Sequence, residues 1–247
     1  EKDLKEAFEN KEFELHYQPQ VCTGNKTVTG FEALLRWNSP KYGQVSPSVF
    51  IPVAEETGLI NDIGKLVIDY SFAFAKSLQG QGLCVSCNVS PVQLIQSDFV
   101  DAVIGMYDKY GLKKGEVAIE ITENILVESF EDTNDKLRRL REKGILIYLD
   151  DFGTGYSSLT YLKNLPIDIV KIDKLFIDDI TIEGSEKSLV KSILSLAHDI
   201  GLKVVAEGVE NEYQRECLAQ CECDFVQGYL IGKPVPERLA LMYLRSV

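Results

Sequence analysis

Gly144-Ile145-Leu146-Ile147-Tyr148-Leu149-Asp150-Asp151 reads as a glycine stop, an unbroken apolar strand and an acidic end. Just before it, Thr133, Leu137 and Leu140 fall at helical spacing and predict a helix that Gly144 closes. An apolar run without alternation belongs to a sheet covered on both faces, the condition of parallel strands joined by helical crossovers. The same unit recurs in both directions. Residues 62–79 carry Ile63, Leu66, Val67, Tyr70, Phe74 and Leu78 on one helical face, and Gly80 and Gly82 stop them before a strand at 83–88. Residues 99–110 form the next expected helix, stopped at Gly111, with a strand at 117–121. Downstream, 167–172 is a β-rich run behind Pro166, a helix at 186–200 stops at Gly201 ahead of a strand at 204–207, and 224–227 is a last short strand.

Residues 13–18 and 28–35 bring the strand count to eight. Eight strands, most of them separated by helices, predict an α/β fold built as a modified TIM (β/α)8 barrel, favoured over an open doubly wound sheet. Only residues 22–27 separate the first two strands, too short for a crossover, so the first is expected to run antiparallel. No linker or low-complexity segment divides the chain, so residues 1–247 are read as a single domain. A helix-like opening without an initiating Met suggests a domain excised from a longer protein.

A net charge of −12 and 45% apolar residues describe a globular chain that repels polyanions, so nucleic-acid polymer is disfavoured as a partner. No run approaches the length of a membrane helix and the charged first residues are no signal peptide, which predicts a soluble, cytoplasmic domain. Cys84 and Cys87 form a C-x-x-C and Cys221 and Cys223 a C-x-C, but an i, i+3 pair within a strand points to opposite faces, against a zinc site. With only two histidines, catalysis must rely on carboxylates.

In such barrels the reactive groups stand at the C-terminal ends of the strands. Reading those ends gives Asn88, Glu120, Asp150 with Asp151, Lys171, Glu207 and Gln227, with Glu32 inside the second strand. Any one of these residues has the plain alternative of facing solvent at a strand terminus; together they are harder to dismiss. Clustered carboxylates need cations, and oxygen-only ligands suit Mg²⁺ or Mn²⁺. The adjacent pair Asp150-Asp151 fits a site of two ions, which would neutralise a phosphodiester and activate a water. Lys171 is either a salt-bridge partner of these carboxylates or a group that orients water. The Gly-containing loop from Asp151 to Ser158 lacks the spacing of a P-loop or a dinucleotide turn, and is read as a tight loop near the metal site.

The segments Tyr17-Gln18-Pro19, Glu32-Ala33-Leu34-Leu35-Arg36-Trp37, Phe50-Ile51-Pro52 with Ala54-Glu55, Asn88-Val89-Ser90-Pro91 and Glu120-Ile121-Thr122-Glu123 carry a further signal. With Asp150 to Gly155, Lys171-Ile172-Asp173, Ala206 to Glu210 and Gln227-Gly228-Tyr229, they resemble the EAL domain, the cyclic di-GMP-specific phosphodiesterase module of bacterial signalling proteins, over nearly the whole chain. The resemblance implies metal ligation by Glu32, Asn88, Glu120 and Asp150, with Asp151 and Glu207 nearer the second ion. It further implies that Lys171 contacts the attacking water, that Gln227 supports the site, that Arg36, Asp173 and Gln18 hold the dinucleotide, and that Glu123 anchors the loop after Asp151. Ser39 and Leu175 depart from the residues common at their positions, a His and a Ser.

The implied activity is hydrolysis of cyclic di-GMP to linear pGpG with two Mg²⁺ or Mn²⁺ ions, Ca²⁺ being inhibitory. A cyclic di-GMP receptor that does not cleave its ligand, and a different barrel phosphodiesterase, are the alternatives. The resemblance also implies a homodimer through the loop and helix after Asp151, where Leu159, Tyr161 and Leu162 either pair between copies or pack on the barrel. Flanking sensory or GGDEF modules are its expected neighbours.

Overall fold

Eight of the strands close on themselves in the computed structural model, which describes residues 1–122, 130–152, 164–180 and 187–245. The barrel runs β1 (Phe13–Cys22), β2 (Val28–Ser39), β4 (Cys84–Asn88), β5 (Val117–Thr122), β6 (Leu146–Phe152), β7 (Ile169–Ile172), β8 (Lys203–Ala206) and β9 (Phe225–Gln227), then returns to β1. Strand β1 lies antiparallel to both of its neighbours in the barrel, β2 and β9, and every other barrel pairing is parallel. The expected modified barrel is therefore the observed one. The reversal follows from the short β1–β2 connection, whose ends are tied by Cys22 N–H to Thr27 O at 2.9 Å. Two short strands lie outside the expected set: β3 (Gly43–Val45) extends the end of β2, and β10 (Val235–Pro236) pairs with β1.

Helices fill the crossovers where the periodicity placed them, at Ile60–Ser77, Phe99–Tyr110, Phe130–Lys143 and Lys187–Asp199. Phe99–Tyr110 ends because Gly111 takes the left-handed conformation (φ 60°) that releases the chain toward β5. Helices at Pro47–Glu56 and Glu212–Gln220 were not apparent from spacing; the second is short and polar and is started by a capping box between Asn211 and Gln214.

Alternation along the strands divides the core. One set of side chains, with Val85, Cys87, Ile119, Ile147, Val170 and Val204, packs with helical residues such as Phe72, Leu137, Leu194 and Leu218. The other faces the barrel interior, where Ala118, Tyr148, Ile169 and Val205 meet Cys84, Leu146 and Phe225. Cys84 and Cys87 thus belong to opposite faces, as strand parity requires, and none of the six cysteines is in a disulfide. At the N-terminal mouth two aspartates clamp neighbouring strands. Asp168 accepts Ile147 N–H at 3.0 Å and Arg141 Nε at 2.9 Å, while Asp224 accepts Val204 N–H at 2.9 Å and is hydrogen-bonded to His198 Nε2 at 2.9 Å.

Candidate active site

The parallel strands point their C-terminal ends at the other mouth, so their last inward-facing residues share one chamber. Asn88 ends β4, Glu120 and Asp150 lie near the ends of β5 and β6, Lys171 is the penultimate residue of β7, Gln227 ends β9, and Glu207 follows β8. Glu32 comes from the middle of β2 because that strand continues past the barrel rim to pair with β3. Strand β1 runs the other way and contributes from its middle: Gln18 pairs across from Glu32, and Gln20 from Gln227.

Lys171 stands at the centre with 1% of its side chain exposed. Its Nζ donates to Glu120 Oε2 and to Glu207 Oε1 at 2.6 Å, and lies 3.3 Å from Glu32 Oε2 and 3.5 Å from Asp150 Oδ2. Glu32 is further held by Asn88 Nδ2 at 2.7 Å and Gln227 Nε2 at 2.6 Å. Gln227 also donates to Gln18 Oε1 at 3.1 Å and accepts from Gln20 Nε2 at 2.8 Å, and Gln18 Nε2 reaches Gly232 O at 3.0 Å. Gln20 was missed because the strand-end rule looks in the wrong place on a reversed strand. The signal that points to it is the period-two polar series Glu14, His16, Gln18 and Gln20, which sets Gln20 on the same face of β1 as Gln18.

One ammonium among four carboxylates leaves an excess of negative charge. Burial works against the Lys171 cation, but attraction from Glu120, Glu207, Glu32 and Asp150 outweighs it and holds the pKa well above the usual lysine value. Burial also works against ionised Glu32, yet Lys171, Gln227 and Asn88 bring its pKa below the ordinary carboxylate range. The surplus falls elsewhere: burial and then Glu32 push Glu120 well up, and burial, opposed by Lys171 and reinforced by Asp150, lifts Glu207 to about 8.

Among the described residues, no three Asp, Glu, His or Cys groups already stand about a common ion position; the ammonium holds the centre. The donor set nevertheless fits a hard cation. Glu120 Oε1 is a buried carboxylate oxygen without a hydrogen-bond partner, the ligands are all oxygen, and the unbalanced charge is negative.

At the end of β6 the pairing with β7 shifts register between Leu149 and Phe152, and Asp151 takes φ 56°. This breaks the strand's alternation just where two consecutive aspartates occur. Asp150 Oδ1 accepts the Asp151 N–H at 2.9 Å, and burial, with Asp150 and Asp173 adding repulsion, raises the pKa of Asp151. Asp173 caps the helix Lys174–Asp178 through Leu175 N–H at 2.7 Å. Gly208, next to Glu207, has φ 69° and lies so close to Lys174 that a Cβ would sit 2.3 Å from its Cγ. Glu123, Leu159, Tyr161 and Leu162 lie outside the described residues.

Two cavities flank the cluster. One, of about 290 Å³, is lined by Gln18, Glu32, Asp150, Glu207, Gln227 and Tyr229; the other, of about 460 Å³, by Arg36, Glu55, Asn88, Ser90 and apolar residues. Leu34 lines both and so forms part of the wall between them. Arg36 turns Nη1 to the Leu35 carbonyl at 2.9 Å, leaving it at the rim of the second cavity and outside the Lys171 cluster. The arrangement offers an acidic centre between two chambers, suited to a bridged anion with two bulky ends.

The EAL domain profile matches residues 1–234. Signaling protein YkoW of Bacillus subtilis is 41% identical over 235 residues, covering 94% of this chain and 29% of that protein. The bifunctional diguanylate cyclase/cyclic di-GMP phosphodiesterase MucR of Pseudomonas aeruginosa is 38% identical over 242 residues, 97% of this chain and 35% of MucR. The solved PaMucR phosphodiesterase in complex with c-di-GMP superposes with a TM-score of 0.92 at 37% identity, covering 97% of this chain and 98% of that one. The chain spans about a third of the length of the curated relatives it matches. Barrel, strand-end cluster and profile match agree: the chain belongs to the EAL domain family.

Proposed function

We propose that this chain is a divalent-metal-dependent phosphodiesterase that hydrolyses cyclic di-GMP to linear pGpG. The observation that carries the reading is the set of four carboxylates around Lys171, with the unpartnered Glu120 Oε1, placed between two cavities. The cyclic di-GMP phosphodiesterase activity of MucR and the c-di-GMP complex of PaMucR support the same substrate. Glu32, Asn88, Glu120 and Asp150 would hold Mg²⁺ or Mn²⁺, with Asp151 and Glu207 nearer a second ion. Bound there, the ions supply charge neutralisation for the phosphodiester and make water nucleophilic near neutral pH.

The chain's own residues do the rest. Lys171, held cationic, donates to the attacking water and to the charge that develops as the water oxygen bonds to phosphorus and the P–O3′ bond breaks. Glu207, which cations in the site would hold ionised, would take the water's proton and return it to the departing 3′ oxygen, which leaves as a hydroxyl. Gln227 fixes Glu32, while Gln18 and Arg36, in the cavities on either side of Leu34, hold the dinucleotide together with Asp173. Ca²⁺, larger and less strict in geometry, would occupy the site without supporting turnover. Glu123 is assigned to anchoring the loop after Asp151, through which two copies of the domain pair. Residues 1–247 act as one cytoplasmic module, set beside sensory or GGDEF modules; no helix among the described residues is long and apolar enough to cross a membrane.

Chromatography of purified protein incubated with cyclic di-GMP tests the reading. Mg²⁺ or Mn²⁺ is expected to give pGpG, EDTA and Ca²⁺ none, and Glu32→Ala to lower the rate at least about 100-fold, the upper end of what losing a ligand's outer partner costs. Binding without product under either metal would establish the receptor reading instead.

A further inference from the structure

We propose that Gln20, which touches none of the carboxylates around Lys171, is a positioning residue that fixes which end of the Gln227 carboxamide faces Glu32. The inference rests on the metal-site reading of Glu32. Ionised Glu32 offers only acceptors, so Gln227 must present its NH₂ to it, as it does at 2.6 Å. The second Nε2 hydrogen goes to Gln18 Oε1 at 3.1 Å. Gln227 Oε1 is then turned into the β1–β9 seam, where Gln20 and Gln227 are direct cross-strand partners and each is only 4% exposed. A buried carbonyl oxygen there needs a donor, and Gln20 Nε2 supplies it at 2.8 Å. Reversing the Gln227 amide would set oxygen against the Glu32 carboxylate and, with Gln20 as it stands, NH₂ against NH₂, so the two contacts favour the same orientation. Gln20 itself lines the cavity at the opposite mouth and, among the described residues, reaches the site through its bond to Gln227. The role is that of an outer partner that orients the residue behind a ligand, where substitution typically costs about 10–100-fold in metal affinity or activity.

The test compares wild type, Gln20→Met and Gln20→Glu by Mn²⁺ calorimetry, cyclic di-GMP hydrolysis and thermal melting, each in native and Gln227→Leu backgrounds. Gln20→Met removes the donor at similar volume and is expected to weaken Mn²⁺ binding about 10-fold. Gln20→Glu draws the Gln227 NH₂ toward itself and is expected to weaken it about 100-fold. In the Gln227→Leu background Gln20→Met should add no further loss, because its effect passes through Gln227. Unchanged Mn²⁺ affinity with a lowered melting temperature, additive losses in the double variant, or failure of both Gln20 variants to fold overturns the proposal. Wild type that binds Mn²⁺ without hydrolysis, with the variants binding weakly, overturns the phosphodiesterase reading and supports this one. Wild type that does not bind Mn²⁺ overturns both.

Discussion

Glu207 is placed where burial and function pull against each other. Its carboxyl, with 22% of the side chain exposed, accepts from Lys171 yet titrates at about 8. In the unfolded chain it titrates near the ordinary 4.5. Between those values the folded form binds more protons than the unfolded one, so stability attributable to Glu207 is full below pH 4.5 and is lost as pH rises through about 8. Metal-free protein should therefore lose stability across that window, with a slope from this group of up to about 1.4 kcal/mol per pH unit. Urea denaturation in EDTA from pH 5 to 8 measures it, and Glu207→Gln should flatten the slope. A slope unchanged in that variant would show that Glu207 is ionised throughout.

At the level of the elements, the strand clamps at the N-terminal mouth carry stability apart from chemistry. Asp168 receives the Ile147 N–H from the start of β6 and the Arg141 side chain from the preceding helix, binding β6, β7 and that helix together. Asp168→Ala leaves a strand N–H without its partner and should destabilise the fold by about 1–3 kcal/mol. Denaturation reads that loss, while Mn²⁺ affinity and turnover of the folded fraction are expected to stay at wild-type values. The central elements were legible in the sequence because period and punctuation agree there: residues 99–110 were expected and found as a helix, with Gly111 as its stop. Strands β3 and β10 were not, since two or three residues carry no period, and their pairing is set by where β2 and β1 happen to extend. The strand-end residues were legible for the same reason as the barrel, one rule serving the six strands from β4 to β9. Gln20 was not, because its contribution depends on the direction of β1 and on a cross-strand register that local sequence does not state.

For the molecule as a whole, closure depends on one reversed strand. Strand β1 joins β2 to β9 and also pairs with β10, so removing residues 1–22 would leave two open sheet edges and take Gln18 and Gln20 from the site. The truncated chain is expected to aggregate on size-exclusion chromatography and to lack the cooperative melt of the full chain; a monomeric, cooperatively folded product would show that the remaining strands close by themselves. The Lys171 ammonium has a wider consequence. It is a counter-ion tethered to the barrel wall, whose local concentration cannot be diluted. On the proposed metal reading, cation loading would be an exchange against an occupant already in place. A monovalent ion gains nothing over the cation it meets, whereas a divalent ion brings the extra charge that four carboxylates leave unbalanced. On the same reading, discrimination between the two classes of ion would be built into the resting protein before any ion arrives.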